Sequence, residues 1–239
     1  MAGLAVNVDH IATLRQARGV SYPDPAAAAV LVELAGADGV VAHLRGDRRH
    51  INDDDVRKIK KIVLTRFILE MAPTDEMVDT ALEVTPDLVT LVPERREEIT
   101  TEGGLDLSSS LDNTARIVER LQRAGIRVSI FIDPDTEQIR RVRDTGAAVI
   151  EIHTGAFCEA AGVQEKAARF AKIREAARVA HDLGLGINAG HGLCYHTIKW
   201  FAGLKEIDEF SIGHSIVSRA ALVGMDRAVR DMVGLIRGL

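Results

Sequence analysis

The segment VIEIH at Val149–His153 shows the pattern that decides the fold: a short apolar run that ends on an ionisable side chain. Similar runs recur along the chain, among them VVAHL, FILEM and VSIFI. Strands covered on both faces read this way, which is typical of parallel sheets. We predict eight strands: Leu4–Asp9, Gly39–Leu44, Arg66–Met71, Leu88–Pro93, Arg127–Asp133, Ala148–His153, Gly186–His191 and Glu209–His214.

Helical patterns separate these strands. They predict helices over Pro25–Leu34, Asn52–Val63, Thr74–Val84, Leu111–Ala124, Thr136–Asp144, Gln164–Leu183, His196–Gly203 and Ser215–Gly238, the last as one helix or as two broken near Gly224. The eight alternations favour an α/β fold, a (β/α)8 TIM barrel, with residues 1–239 as a single catalytic domain. A doubly wound open sheet is the alternative, but no glycine fingerprint follows the first strand.

Composition narrows the class of protein. The formal net charge of −5 argues against a partner that is nucleic acid or an anionic membrane. Two cysteines without regular spacing, Cys158 and Cys194, indicate a reducing compartment. No uninterrupted apolar run approaches membrane length, and Met1–His10 lacks the pattern of a secretion signal. We therefore expect a cytoplasmic protein.

Ionisable side chains occupy the C-terminal ends of all the predicted strands. Because parallel barrel strands end on one face, these residues should converge there. Histidines and partly buried carboxylates exchange protons near neutral pH, so the pattern predicts an active site for acid–base chemistry. Taken singly, each residue has an equally good structural explanation. The set is Asp9, His10, His43, Glu70, Glu94, Asp133, His153, His191 and His214.

Two regions predict phosphate binding. The segment HLRGDRRH at His43–His50 contains three arginines, whose planar guanidinium groups match phosphate oxygens, although Arg48 and Arg49 also suit a solvated loop. SIGHS at Ser211–Ser215 places a glycine before a helix N-terminus, which favours an anion, and NAGHG at Asn188–Gly192 adds further glycines. Two anion sites indicate two phosphorylated substrates or one bisphosphate.

Two connections that follow predicted strands are longer than the others. They are Arg95–Leu107 and Thr154–Val163. Long loops on this face of a barrel are candidate lids, and Gly103 with Gly104 offers a hinge for the first. An ordinary surface loop explains their length equally well.

Longer motifs extend in order along the whole chain. They are NVDHIATLRQARG (Asn7–Gly19), YPDP (Tyr22–Pro25), HLRGDRRHI (His43–Ile51), LEMA (Leu69–Ala72), LVPERREEITTEGGLD (Leu91–Asp106), IEIHTG (Ile150–Gly155), NAGHGLCYH (Asn188–His196) and IGHSI (Ile212–Ile216). In these motifs the chain resembles the pyridoxine 5′-phosphate synthase family. It departs from the family pattern at Gly46, where glutamate is expected, and at Thr197, where asparagine is common.

The resemblance implies a reaction and a set of residue roles. 1-Deoxy-D-xylulose 5-phosphate and 3-amino-2-oxopropyl phosphate condense to pyridoxine 5′-phosphate, inorganic phosphate and water, without metal or cofactor, in a homo-octamer of barrels with additional helices. His43 and Glu70 match general bases, and His191 matches a proton donor. Contacts to the first substrate match Asn7, Asp9, His10, Arg45, His50 and Thr100, and contacts to the second match Arg18, Gly192, Gly213 and His214.

Two other function classes remain open. Metal-dependent barrel epimerases and hydrolases also use histidines and carboxylates at strand ends, and His191, Cys194 and His196 are a possible ligand cluster. A non-catalytic phosphate-binding protein would explain the anion sites but would give Glu70 and the histidines no task.

Overall fold

Eight parallel strands close into a barrel in chain order in the computed structural model, which describes residues 1–94 and 103–239. Strand β8 pairs with β1 from Gly3–Glu209 to Val6–Ile212, and this pairing completes the ring. The predicted (β/α)8 barrel is therefore confirmed. The strands are β1 (Gly3–Asn7), β2 (Gly39–His43), β3 (Phe67–Met71), β4 (Leu88–Leu91), β5 (Arg127–Ile132), β6 (Val149–His153), β7 (Gly186–Gly190) and β8 (Glu209–Ile212).

Helices surround the barrel. Those described are α1 (Asp9–Gln16), α2 (Pro25–Leu34), α3 (Asp53–Ile62), α4 (Asp75–Val84), α5 (Leu107–Arg123), α6 (Thr136–Thr145), α7 (Gly155–Glu159), α8 (Val163–Asp182), α9 (His214–Val223) and α10 (Met225–Arg237), with a 3-10 turn at Thr197–Phe201. The sequence did not predict α1 or α7. The long last helix is two helices that meet at Gly224. None of the described helices is long and apolar enough to cross a membrane.

Side-chain caps set where several helices begin. Asn52 and Asp55 form a capping box at α3, each side chain accepting the backbone N–H of the other at 3.0 Å. Asp106 accepts the Ser108 N–H at 2.9 Å and starts α5 at Leu107, so the predicted start at Leu111 was wrong by one turn. Asp9, predicted to end the first strand, instead begins α1.

Alternation along the strands places the polar residues inside the barrel. Ala5, Val41, Ile68, Leu88 and Val149 form a small apolar cluster from five different strands, as expected of an interior layer. Side chains two residues further along each strand face the same way. Those positions are held by Asn7, His43, Glu70, Thr90 and Glu151, so the interior becomes polar toward the C-terminal ends of the strands.

Candidate active site

A cavity of about 620 Å³ opens at the C-terminal ends of the strands. Eleven of the thirteen predicted site residues line it: Asn7, Asp9, His10, His43, Arg45, His50, Glu70, His191, Gly192, Gly213 and His214. Arg18 is exposed beyond α1 and does not line this cavity. Thr100, with most of the predicted lid, lies outside the described residues. Of the nine strand-end residues predicted to converge, six line this cavity (Asp9, His10, His43, Glu70, His191 and His214), whereas Glu94, Asp133 and His153 do not.

His43 stands at the end of β2 between two carboxyl groups. Its Nε2 is 2.9 Å from Glu94 Oε1, and its Nδ1 is 4.0 Å from Glu70 Oε2. The second oxygen of Glu94 accepts the Gly46 N–H at 3.0 Å. Asp9 accepts the His43 backbone N–H at 2.8 Å, which ties the start of α1 to the end of β2. The imidazole is therefore held in place within reach of a second proton-carrying group.

Two glutamates lie deeper in the barrel. Burial, followed by the nearby charges of Glu151 and Asp9, raises the pKa of Glu70 well above its usual range. Burial and the Glu209 carboxylate raise the pKa of Glu151 to about 8. Gly190 leaves the space for Glu151, since a Cβ there would lie 2.1 Å from Glu151 Oε1. Burial thus favours the protonated form of both glutamates.

His191 follows β7 in a left-handed backbone conformation, with φ of 73°. This conformation is uncommon for a residue with a side chain and is often found at functional sites. Burial, and then the charges of His153 and His10, lower the pKa of His191 to about 4. In the absence of an anion the ring is therefore neutral at physiological pH.

Other histidines of the cavity are also held neutral. Burial, followed by the proximity of His214, lowers the pKa of His10, whose ring centroid is 4.8 Å from that of His214. Burial lowers the pKa of His50 as well. The Nδ1 of His50 accepts the Ile51 N–H at 2.8 Å, so the neutral ring carries its proton on Nε2. A bound anion would find several imidazoles able to take up a proton.

Positive groups reach the cavity from the loop after β2 and from α9. Arg45 is buried, and Arg49 lines the wall while it binds Asp47 at 2.6 Å. Arg48 instead binds Asp53 and Glu76, which fits the interpretation of a surface residue. Helix α9 begins at His214, where no described side chain caps the helix, and a helix N-terminus favours an anion.

The structure also brings together a possible set of metal ligands. Asp9, His43 and Glu70 each offer a ligand atom, and these atoms lie within 4.8 Å of one another. Both Asp9 oxygens already accept hydrogen bonds, from the His43 N–H and from the Asn7 amide. Among the residues described, the cluster suggested from the sequence, His191 with Cys194 and His196, does not form such a group.

Glu151 is the site residue that the sequence prediction missed. It lines the cavity, yet it lies in the middle of β6 rather than at its end. A signal was available, because Glu151 is two residues before His153 and two after Val149 in an apolar strand. Alternation places all three on the same face of the sheet.

The chain is similar to known proteins over almost its entire length. Residues 4–238 match the family described as pyridoxal phosphate biosynthesis protein PdxJ. Pyridoxine 5′-phosphate synthase of Desulfosudis oleivorans is 66% identical over 236 residues, covering 99% of this chain and all of that protein. The enzyme of the same name from Desulforapulum autotrophicum is 62% identical over 239 residues, covering both chains completely.

Solved structures support the fold at much lower identity. The crystal structure described as KGPDC from Streptococcus mutans superimposes with a TM-score of 0.68 at 14% identity, covering 99% of this chain and 98% of that one. At this identity the likeness concerns the barrel alone. The family match and the close relatives both extend over essentially the whole chain. This chain therefore belongs to the PdxJ family of pyridoxal phosphate biosynthesis proteins.

Proposed function

We propose that this chain is an enzyme of vitamin B6 biosynthesis that forms pyridoxine 5′-phosphate. Its substrates are 1-deoxy-D-xylulose 5-phosphate and 3-amino-2-oxopropyl phosphate, and inorganic phosphate and water are released. The relatives named pyridoxine 5′-phosphate synthase support the activity. The observation that carries the proposal is that His43 of β2, Glu70 of β3 and His191, which follows β7, line one cavity.

The reaction requires several proton transfers, and the cavity holds groups suited to them. The amine of one substrate attacks the ketone of the other, water and phosphate leave, and a ring closes and becomes aromatic. Burial favours the protonated form of Glu70, which becomes a base once it has donated its proton. With His43 it forms a pair that moves protons in either direction. Glu151, also protonated, stabilises negative charge that develops above it.

His191 acts as proton donor once the substrates are bound. Burial and the neighbouring His153 and His10 lower its pKa to about 4. A phosphate ester brings about −1.5 to −2 charges. An opposite charge at short range favours the protonated imidazole, so substrate binding prepares His191 to protonate departing oxygens.

The phosphate groups have two sets of partners. Arg45, His50 and Asn7 are proposed to bind the deoxyxylulose phosphate together with Asp9, His10 and Thr100. His214, with Gly213 at the start of α9, and Gly192 are proposed to bind the second phosphate, with Arg18 as a further contact. Within the described residues no group hydrogen-bonds the buried Nδ1 of His10, which leaves this atom for a substrate oxygen.

The decisive experiment incubates purified protein with both substrates and follows pyridoxine 5′-phosphate by chromatography. We expect product with both substrates and none with either alone. Glu70→Gln copies the protonated carboxyl in shape, so it should fold normally while turnover falls roughly 10²–10⁴-fold. His43→Asn and His191→Asn should lose activity similarly, and full activity in any variant would remove that residue from the mechanism.

A metal-dependent sugar-phosphate epimerase or hydrolase is the second candidate, favoured by the Asp9, His43 and Glu70 cluster. The absence of a metal or cofactor requirement therefore stays a prediction. Elemental analysis and assays after chelator treatment separate the cases. Loss of activity with the chelator and its return with one divalent metal would favour this second function.

Assembly and location complete the proposal. We propose a homo-octamer in which residues 1–239 of each chain act as one catalytic domain in the cytoplasm. Apolar side chains exposed on α2 (Leu31 and Leu34) and on α9 (Leu222 and Val223) support contacts between subunits. Sedimentation velocity tests the octamer directly, and cell fractionation tests the location.

A further inference from the structure

Three aromatic rings meet at the wall of the cavity next to β7. His153 and His191 lie edge to face with centroids 5.0 Å apart, and Phe131 contacts them at 5.1 and 6.3 Å. The Nδ1 atom of His153 lies 2.9 Å from Asp133 Oδ1. His153 itself is buried and does not line the substrate cavity. We propose that Asp133 and His153 are a positioning pair that holds the His191 ring in the orientation needed for proton donation.

The hydrogen bond to Asp133 fixes the state of the His153 ring. A carboxylate accepts only, so Nδ1 must carry a proton. Nε2 then points toward Gly155 and the His191 edge, because a Cβ on Gly155 would lie 2.5 Å from His153 Nε2 and 3.2 Å from His191 Cδ2. No larger residue fits between α7 and these rings. Ring orientation at His191 thus depends on a neighbour that is itself anchored.

The backbone of His191 has a separate anchor. Thr154, the residue after His153, donates its hydroxyl to the carbonyl oxygens of Gly190 and His191 at 2.8 and 2.5 Å. This bond supports the left-handed conformation at His191. Consecutive residues of the chain therefore hold different parts of His191: Thr154 holds its backbone, and His153 holds its ring.

Asp133 also contacts the end of the loop that follows β4. The hydrogen bond with the His153 ring is the main reason why the pKa of Asp133 lies below its usual value. The hydrogen bond from the Gly104 backbone N–H lowers it further. Gly104 passes so close that a Cβ would lie 2.1 Å from the Asp133 backbone nitrogen. Leu105 N–H then binds the Phe131 carbonyl at 2.8 Å. The end of this loop is thereby connected through Asp133 and His153 to His191.

The pair also influences when His191 is charged. Positive charge on His153 lowers the pKa of His191, after the larger effect of burial, and His10 contributes in the same direction. Asp133 offsets that charge from β5. Asp133 and His153 also line a second cavity of about 360 Å³. Charged side chains of neighbouring elements, Asp135, Arg169 and Lys172, line the same cavity. Among the described residues, the ionisable groups on the elements around the rings are His10, Asp133, Asp135, Glu151, Cys158, Arg169, Lys172 and Cys194.

The test compares His153→Asn and Asp133→Asn with His181→Asn, a control on the exposed face of α8. Asparagine at 153 keeps a donor for Asp133 but has no ring or charge, and asparagine at 133 keeps the shape but loses the charge. We expect kcat to fall roughly 10-fold, as for other hydrogen-bonded outer partners, with KM changed less than about threefold. The control should match the wild-type protein.

A second measurement needs no substrate. The His191 resonance in ¹³C-histidine-labelled protein, assigned with His191→Asn, is titrated in each variant. Loss of the His153 ring in His153→Asn should raise the pKa of His191, loss of the offsetting carboxylate in Asp133→Asn should lower it, and His181→Asn should leave it unchanged. Unchanged titration with wild-type kcat overturns the proposal. Unchanged titration with reduced kcat and a lower melting temperature assigns the pair a purely structural role and overturns it too.

This inference rests on the proposed function, and the two can fail separately. If the wild-type protein forms no pyridoxine 5′-phosphate, the proposed function is wrong, while the His191 titration still reports whether His153 controls that ring. Should His153→Asn fail to fold, Asp133→Asn carries the test, because its side chain is half exposed and its shape is retained.

Discussion

The buried carboxyl of Glu151 gives a sharp prediction about stability and pH. Glutamine at this position copies the protonated side chain and removes the ionisation. Glu151 keeps its proton up to a pH of about 8 in the folded chain, whereas an unfolded glutamate releases it near 4.5. Between these values the folded state binds more protons than the unfolded state. Stability from this group is therefore complete below the lower pKa and is lost as pH rises through the upper one.

The magnitude follows from that rise in pKa. At about 1.4 kcal/mol per pKa unit, the rise from 4.5 to about 8 corresponds to at most roughly 5 kcal/mol. Water in the cavity solvates part of the charge, so we expect a loss of about 2–5 kcal/mol for the wild-type protein between pH 5 and pH 9. Glu151→Gln should remove this part of the pH dependence and become the more stable protein at pH 9.

Urea unfolding followed by circular dichroism at pH 5, 7 and 9 measures the effect. Glu159→Gln, on the exposed end of α7, is the matched control and should retain the wild-type pH dependence. A stability difference between Glu151→Gln and the wild-type protein that is the same at all three pH values would refute the reasoning, since it would show that Glu151 titrates normally. We also expect turnover of Glu151→Gln to fall, because an amide is a weaker hydrogen-bond donor to developing negative charge than a carboxylic acid.

Three further predictions concern other contacts. Arg15→Met removes the partner of buried Asp55, bound at 2.6 Å, and should lower the unfolding free energy by about 3–5 kcal/mol in urea titrations, whereas Arg57→Met at a surface pair should change it little. Gly190→Ala displaces the Glu151 carboxyl and should reduce kcat about 10²-fold without loss of folding, as checked by steady-state kinetics and circular dichroism. Binding of pyridoxine 5′-phosphate should raise the pKa of His191 above its unliganded value of about 4, visible by NMR titration; an unchanged value would contradict its role as donor.

The sequence was sufficient to predict the barrel and the ionisable residues at the C-terminal ends of its strands, because both follow from patterns within short segments of the chain. Apolar strands such as VIEIH indicate a parallel sheet, and parallel strands deliver their ends to one face. His43, Glu70 and His191 could be placed together on that basis alone. Glu151 was missed because the prediction considered only the ends of the strands. Alternation also directs side chains from the middle of a strand into the barrel.

Contacts between distant parts of the chain could not be predicted. The bond from Asp133 to His153 and that from His43 to Glu94 depend on side-chain directions fixed only by the folded barrel. The start of α1 at Asp9 was missed for a related reason: the Asp9 carboxylate accepts the His43 N–H of the neighbouring strand β2 instead of extending β1. Protonation states depend on burial and neighbours together, so the low pKa of His191 also needed the structure.

The pairing of β8 with β1 also affects how copies of this chain can associate. A sheet that closes on itself has no edge strand, so no row of backbone N–H and C=O groups is available to template the addition of a foreign strand. Assembly must therefore use contacts other than an added strand, such as those between side chains on the outer helices. Substitutions on those helices can then alter subunit number while the hydrogen-bonded ring that supports the chemistry stays intact.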